Sequence, residues 1–371
     1  MKEKVRQSNF ELMRLISMFF IVVYHMIVPT GGNLINNTIG MTNVIIDLIG
    51  LLIIVHVNSF ILITGYFQSQ NKFSLKKFLS LVFMAWFYKI IIAYIFFMIG
   101  IHKFNSIEIV TILSPFEFAN NWFLVVYMSL YLISPYINIL LNKLNQKEHR
   151  KLVILLFLMF SLLPTITNQN TFNNTGFTIV HFVYLYILGA YLRKYPISEN
   201  IHFKNFSQKK KGFLFFGLYL FLGIFNFLLY EFCEQVLLIN NNELLVYICN
   251  SIKQNLFFYQ TPILIIQSVC YFLFFETISF SSKWINKMAI GTFSIYIITE
   301  NPYVKNWLYP FLGIEEDVLQ GVSIIPKIMI YSIIIMMVCL MIENIRQLII
   351  KWIKMIITYF KRKKSTTVLT Q

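Results

Sequence analysis

Apolar runs alternate with short polar connections along the whole chain. Ten of these runs approach or reach the roughly 17 to 25 residues that a helix needs to cross a bilayer. They fall near 10–29, 43–66, 77–99, 121–141, 151–167, 179–193, 212–230, 259–278, 286–304 and 323–345. The pattern predicts an all-α polytopic membrane protein with about ten transmembrane helices, and an even number returns both ends of the chain to one side. The outward connection from Glu231 to about Phe258 contains ELLVYICNSIKQNLFFY, an amphipathic stretch expected to lie in the interface or plug the outer mouth.

Charge in the connections orients the helices. Of the 31 Lys and Arg residues, 25 fall in connections of one parity and four (Lys103, Lys253, Lys305, Lys327) in the other. By the positive-inside rule the basic side is cytoplasmic, so both termini are predicted there. Basic Lys2, Lys4 and Arg6 before the first run resemble a signal peptide. The run is too long for one and has no small-x-small cleavage site, so it is expected to stay as the first helix. Residues 1–345 are read as one transmembrane domain. Residues 346–371 are read as a basic cytoplasmic tail that ends in KRKK and STTVLTQ, facing lipid headgroups.

Composition agrees. With 57% hydrophobic and 13% charged residues and a mean hydropathy of +0.67, a soluble domain would have almost no polar surface. The net charge of +15 sits in short clusters between apolar runs, where topology explains it, and this excludes a nucleic-acid partner. Four cysteines follow no metal or redox spacing. Cys233 and Cys249 flank one polar connection, and a disulfide or two unpaired thiols are both open. There is no GxGxxG, Walker A or GxSxG pattern.

Against this background the ionisable residues inside apolar runs stand out, because such groups persist only facing protein or a wet cavity. Arg14 and His25 are eleven positions apart, three helical turns plus about 20°, so they share one stripe about 16 Å apart. They are expected to face one shared, water-reachable hollow. A neutral imidazole is the usual base for taking a proton from a hydroxyl. Arg14 either pairs with Glu11, three residues back, or meets the phosphates of an incoming cofactor. Asn58 and Ser59 either bond to neighbouring helices or serve a site. Asn121 and Trp122 sit where interfacial aromatics are common and where a ring can also stack on a sugar. Glu300, beside the helix-breaking Asn301 and Pro302, can orient His25, neutralise Lys305 or be solvated. Lys89, His181 and Glu276 are further ionisable residues in spans with no evident partner.

These residues carry a resemblance. Arg14 with ten residues before His25, then NSFILITGYF, NNWFLVVYMSLYLISP, YLYILGAYLRKY and SIYIITENPY occur in an order similar to that of the integral-membrane acyltransferase-three family, across the first nine spans. The family moves acyl groups, often acetyl from acetyl-CoA, onto cell-surface carbohydrates. Thr64 stands in place of a usual serine. Thr299 stands where many members have histidine, so a second imidazole role is absent or passes to Glu300. The family's arginine-rich run is reduced to Lys76, Lys77 and the later Lys89.

The resemblance implies a multi-pass cell-membrane O-acyltransferase with no metal. Cytoplasmic acyl-CoA would be held by Arg14, Lys76 and Lys77. His25 would act as general base or transient acyl carrier, with Glu300 as second catalytic residue. Tyr24, Asn58, Asn121 and Trp122 would contact a lipid-linked or surface glycan. The competing class is a glycan or lipid transporter or flippase, for which a polar path is also expected.

Overall fold

The computed structural model describes residues 6–28, 40–114, 121–167, 173–197, 203–239, 242–314 and 322–368. The architecture is helical throughout these residues. Among these described residues, seven helical rods are long and apolar enough to cross a membrane. They are α1 (Ser8–Ile27), the bent pair α2 (Met41–Ile53) and α3 (His56–Gln68), α4 (Leu75–Met98), α6 (Trp122–Lys143), the rod beginning with α7 (Gln146–Phe157), α10 (Gln208–Ile239), and α16 (Ile324–Val368) as far as Ile356. The rod of α7 continues through a π turn (Leu158–Leu162) into α8 (Leu163–Thr167).

The other three predicted spans are shorter. Residues 179–193 form α9 (Ile179–Lys194) and residues 259–278 form α12 (Pro262–Thr277), each 16 residues and about 24 Å long. The predicted span 286–304 is not one helix. It comprises α13 (Lys283–Met288), a 3-10 turn, α14 (Thr292–Thr299) and, past a break, α15 (Pro302–Phe311). Proline cannot continue the preceding helix but suits the first position of the next. Asn301 caps that new start, its Oδ1 accepting from Tyr303 N at 3.1 Å.

Local sequence accounts for other boundaries. α7 begins at Gln146, earlier than its apolar run, because Asn145 and Glu148 form a capping box. The same device, Asn105 with Glu108, opens the short α5 (Ser106–Leu113). The amphipathic stretch after α10 forms α11 (Glu243–Leu256). α16 does not stop at residue 345, since no glycine or proline follows Pro326 before Lys364. Inside α6, Pro135 removes the donor that Tyr131 O would have had, and Ser134 Oγ bonds that carbonyl instead at 2.8 Å.

α1, α2, α3, α9 and α12 make the interior, while α4, α6, the α7–α8 rod, α10 and α16 turn exposed Phe, Ile, Leu and Met outward. The tightest crossing joins α3 and α9. A Cβ at Gly65 would lie 2.2 Å from Tyr186 O, and one at Gly189 2.3 Å from Leu62 O, so only glycine lets the two backbones meet. Polar ties fasten this pair at the end near Gln68. Arg193 donates to Tyr66 Oη at 3.0 Å, and Asn138 joins Gln68 O to Tyr186 Oη. At the same end Glu343 on α16 takes two bonds from Arg346 and one from Tyr88 on α4. All four cysteines are buried free thiols.

Candidate functional site

α1 carries its ionisable residues as the 3.6-residue period requires. Glu11 is nearly buried, and Arg14 Nη1 lies 2.9 Å from its Oε2 with Arg6 Nη1 3.5 Å from its Oε1. Arg14 therefore pairs with Glu11, as one of its two readings had it, and it also lines a cavity of about 340 Å³. Arg6, Lys77, Thr64, Tyr131 and Thr292 join it there. Three cations against one carboxylate make this a basic chamber. Lys76 is exposed and does not line it. Lys2 and Lys4 lie outside the described residues.

His25 sits in the last turn of α1. Its Nδ1 is 2.9 Å from Glu300 Oε1, and Lys305 Nζ is 3.2 Å from Glu300 Oε2. The helix break at Asn301 puts Glu300 in this position, at the end of α14. The imidazole and carboxylate are at ion-pair distance without the alignment of a formed hydrogen bond. Catalytic contacts in unliganded sites are commonly oblique and tighten with substrate. His25 keeps 17% side-chain exposure, so it is not sealed off. Thr299 is turned to its own helix, donating to Ile295 O.

A directional polar chain supports the far end of α1. His181 Nε2 donates to Asn58 Oδ1 at 3.0 Å, and Asn58 Nδ2 donates to Tyr259 O at 3.0 Å. Tyr259 Oη is 3.3 Å from His56 Nε2, and His56 Nδ1 is 2.9 Å from Ile53 O. A carbonyl only accepts, so His56 carries its proton on Nδ1 and takes the tyrosine hydrogen on Nε2. This bond uses the carbonyl at the α2–α3 bend. The His56 ring lies 5.1 Å from Tyr24, next to His25 in the chain. Trp122 stacks on Tyr259 at 6.2 Å and packs edge-on to Phe177 at 4.5 Å. Trp122 and Asn58 thus hold Tyr259 in place. Neither lines the chambers described here.

A second chamber of about 500 Å³ opens beyond Glu300. It is lined by Glu300, Asn301, Asn121, Lys89 and Trp307, among others. Lys89, an ionisable residue without an evident partner in the sequence, donates to Thr111 O and Ser114 O at the end of α5. Trp86 donates to Leu113 O beside it. Lysine thus meets the negative end of a short helix.

The single hollow expected for Arg14 and His25 is not found: Arg14 lines the basic chamber, His25 lines neither of the two, and only its partner Glu300 lines the larger. Phe123 and Tyr296 line the basic chamber, whereas their neighbours Leu124 and Ile297 line the larger one. The Phe123 and Tyr296 rings meet edge to face at 5.1 Å. The partition comes from α6 and α14, far from α1 in sequence, which the stripe on α1 could not reveal. Tyr259 is the supporting residue that motif reading passed over, while Lys305 is the neighbour expected to be neutralised by Glu300. Lys305 had a local signal, five positions past Glu300 across a proline break.

Among the described residues no group of three or more His, Cys, Asp or Glu side chains could hold a metal ion. The fold and the site therefore define an all-helical polytopic membrane protein in which an imidazole lies 2.9 Å from a carboxylate that lines the larger of two chambers. A family model described as an acyltransferase domain matches residues 7–343, from the start of α1 into α16, and the chain belongs to this acyltransferase-three family. No curated protein and no solved structure matches the chain. Family membership makes the protein a membrane acyltransferase and implies an acyl donor.

Proposed function

We propose that the chain is a cell-membrane O-acyltransferase that moves an acyl group, most simply acetyl, from cytoplasmic acyl-CoA to a hydroxyl of a surface or lipid-linked glycan. The observation that carries this reading is the His25–Glu300–Lys305 cluster at one end of the α1 stripe, with a basic chamber at the other. Arg14, Arg6 and Lys77 would take the donor's phosphates, for which guanidinium forks are suited. Lys76 would add charge at the mouth. Arg14 and His25 are about 16 Å apart along the helix, a distance that an extended pantetheine arm can bridge. The donor enters between Phe123 and Tyr296, whose rings must part for it.

With Glu300 against Nδ1, the Nε2 atom of His25 is left to act. It takes the proton of the acceptor hydroxyl as the oxygen attacks the thioester carbonyl. The tetrahedral intermediate collapses, the carbon–sulfur bond breaks, and the proton passes to the departing sulfur. Glu300 holds the ring tautomer and stabilises the imidazolium, the division of labour seen in other His–carboxylate pairs. Tyr24, which packs on His56, would assist the oxyanion. Asn58 and Trp122 serve as positioning residues through Tyr259, and Asn121 belongs to the acceptor side. If Nε2 instead carries the acyl group for one step, an acyl-enzyme accumulates when acceptor is withheld.

Mass analysis of surface glycans from cells with and without the protein tests this reading. A difference of one acyl mass per modified sugar is expected. Loss of the exported glycan itself, with no change in acylation, would point to transport instead.

A further inference from the structure

We propose that the larger chamber is the acceptor subsite and that it selects an uncharged sugar, with Trp307 as the stacking face and Asn306 as a hydroxyl-reading amide. This rests on the acyltransferase reading above and goes further by naming the acceptor's charge class and two of its contacts.

Charge is the first observation. The ionisable residues lining the chamber are Lys89, His102, Glu108 and Glu300, and each is already engaged within the protein. Lys89 donates to two carbonyls of the α5 end, at 2.8 and 2.9 Å. Glu108 accepts from Asn105 N at 3.0 Å and lies 3.4 Å from His102 Nε2. Glu300 faces His25 and Lys305. An acceptor bearing a phosphate or carboxylate would enter beside two carboxylates with no uncommitted lining cation among the described residues. Like-charge juxtaposition of this kind disfavours binding. The basic chamber has the opposite balance, so the two chambers sort the anionic donor from a neutral acceptor.

Surface chemistry is the second. Trp307 is 41% exposed at the chamber, yet its ring is fixed. Phe311 stacks on it at 4.8 Å and 14°, and Phe96 meets it edge-on at 6.3 Å. A rigid, half-open indole offers an apolar plane to the C–H face of a pyranose at little entropic cost. Asn306, its exposed neighbour on α15, also lines the chamber. An amide both donates and accepts, as vicinal hydroxyls require. The chamber volume, about 500 Å³, falls in the range of small-ligand sites.

The test uses the full-length protein in liposomes, with acetyl-CoA and matched oligosaccharides that keep every ring hydroxyl, one set with a neutral aglycone and one with a carboxylate-bearing aglycone. The neutral set should show a kcat/KM at least about tenfold higher, equivalent to about 1.4 kcal/mol. Trp307→Ala should raise the KM for neutral acceptor by about tenfold, leave the KM for acetyl-CoA unchanged, and be restored by Trp307→Phe. Transfer that prefers the carboxylated set, or an acceptor KM indifferent to Trp307→Ala, overturns this inference while leaving the acyltransferase reading intact. Transfer to neither set, with acetyl-CoA untouched, overturns both.

Discussion

Glu300→Gln isolates the electrostatic part of the mechanism, because the amide keeps the shape and one acceptor oxygen while removing the charge. In the native site Glu300 Oε1 is 2.9 Å from His25 Nδ1. When His25 takes a proton, the two charge centres are about 4 Å apart, and at an effective dielectric of about 20 their attraction is worth about 4 kcal/mol. Partial exposure of both side chains, 17% and 14%, and the Lys305 charge beside the other oxygen reduce it. About 2 to 3 kcal/mol of transition-state stabilisation remains, a factor of about 10² in kcat. The assay is acetyl transfer from acetyl-CoA to glycan by reconstituted protein. KM for acetyl-CoA should stay within twofold or so, since Glu300 does not line the basic chamber. A variant within a few-fold of native kcat would refute the pairing as a working part of catalysis.

Four further outcomes follow from the geometry. His25→Ala should insert and accumulate normally while losing a factor of about 10² to 10⁴ in rate; wild-type O-acetyl levels on the cell's glycans would remove it from the chemistry. Arg14→Ala should raise the apparent KM for acyl-CoA by about tenfold, with Arg14→Lys intermediate because the fork is lost and the charge kept; an unchanged KM would take Arg14 out of the donor site. Gly65→Ala puts a methyl 2.2 Å from Tyr186 O and should destabilise by at least about 1 to 3 kcal/mol, seen as a lower unfolding temperature in detergent; a native melt would mean that α3 and α9 can separate freely. Glu343→Gln weakens a bidentate contact to Arg346 at 2.6 and 2.7 Å in a site only 2% exposed. Breaking such a pair costs about 3 to 5 kcal/mol, so folded yield should fall sharply, and native yield would show that the network is dispensable.

Much of the helix order was legible in the hydropathy pattern, since long apolar runs leave a chain few alternatives. α1 was predicted at 10–29 and runs from Ser8 to Ile27. Length was less legible where buried helices need not match the bilayer: α9 and α12 are short because protein rather than lipid surrounds most of their length. The last helix was predicted at 323–345 and runs from Ile324 to Val368, because composition changes near residue 346 without any helix-stopping residue. At the site, Arg14 and His25 could be put on one stripe by arithmetic, and ENP announced the break that frees Glu300. Two things needed three dimensions. The Phe123–Tyr296 partition joins residues 173 positions apart. The chain from His181 through Asn58 and Tyr259 to His56 joins α9, α3 and the segment before α12, which no local spacing encodes.

The transfer we propose passes an acyl group from a cytoplasmic donor to an acceptor on the opposite face, through His25. The most direct measurement seals the purified protein in liposomes with acetyl-CoA inside and a membrane-impermeant oligosaccharide outside, and follows O-acetyl on the oligosaccharide by mass. Acetylation outside, matched by CoA release inside, is expected for the native protein, and neither is expected for His25→Ala. Acetylation that persists in that variant, or CoA that stays fully acylated beside the native protein, would contradict the proposed transfer.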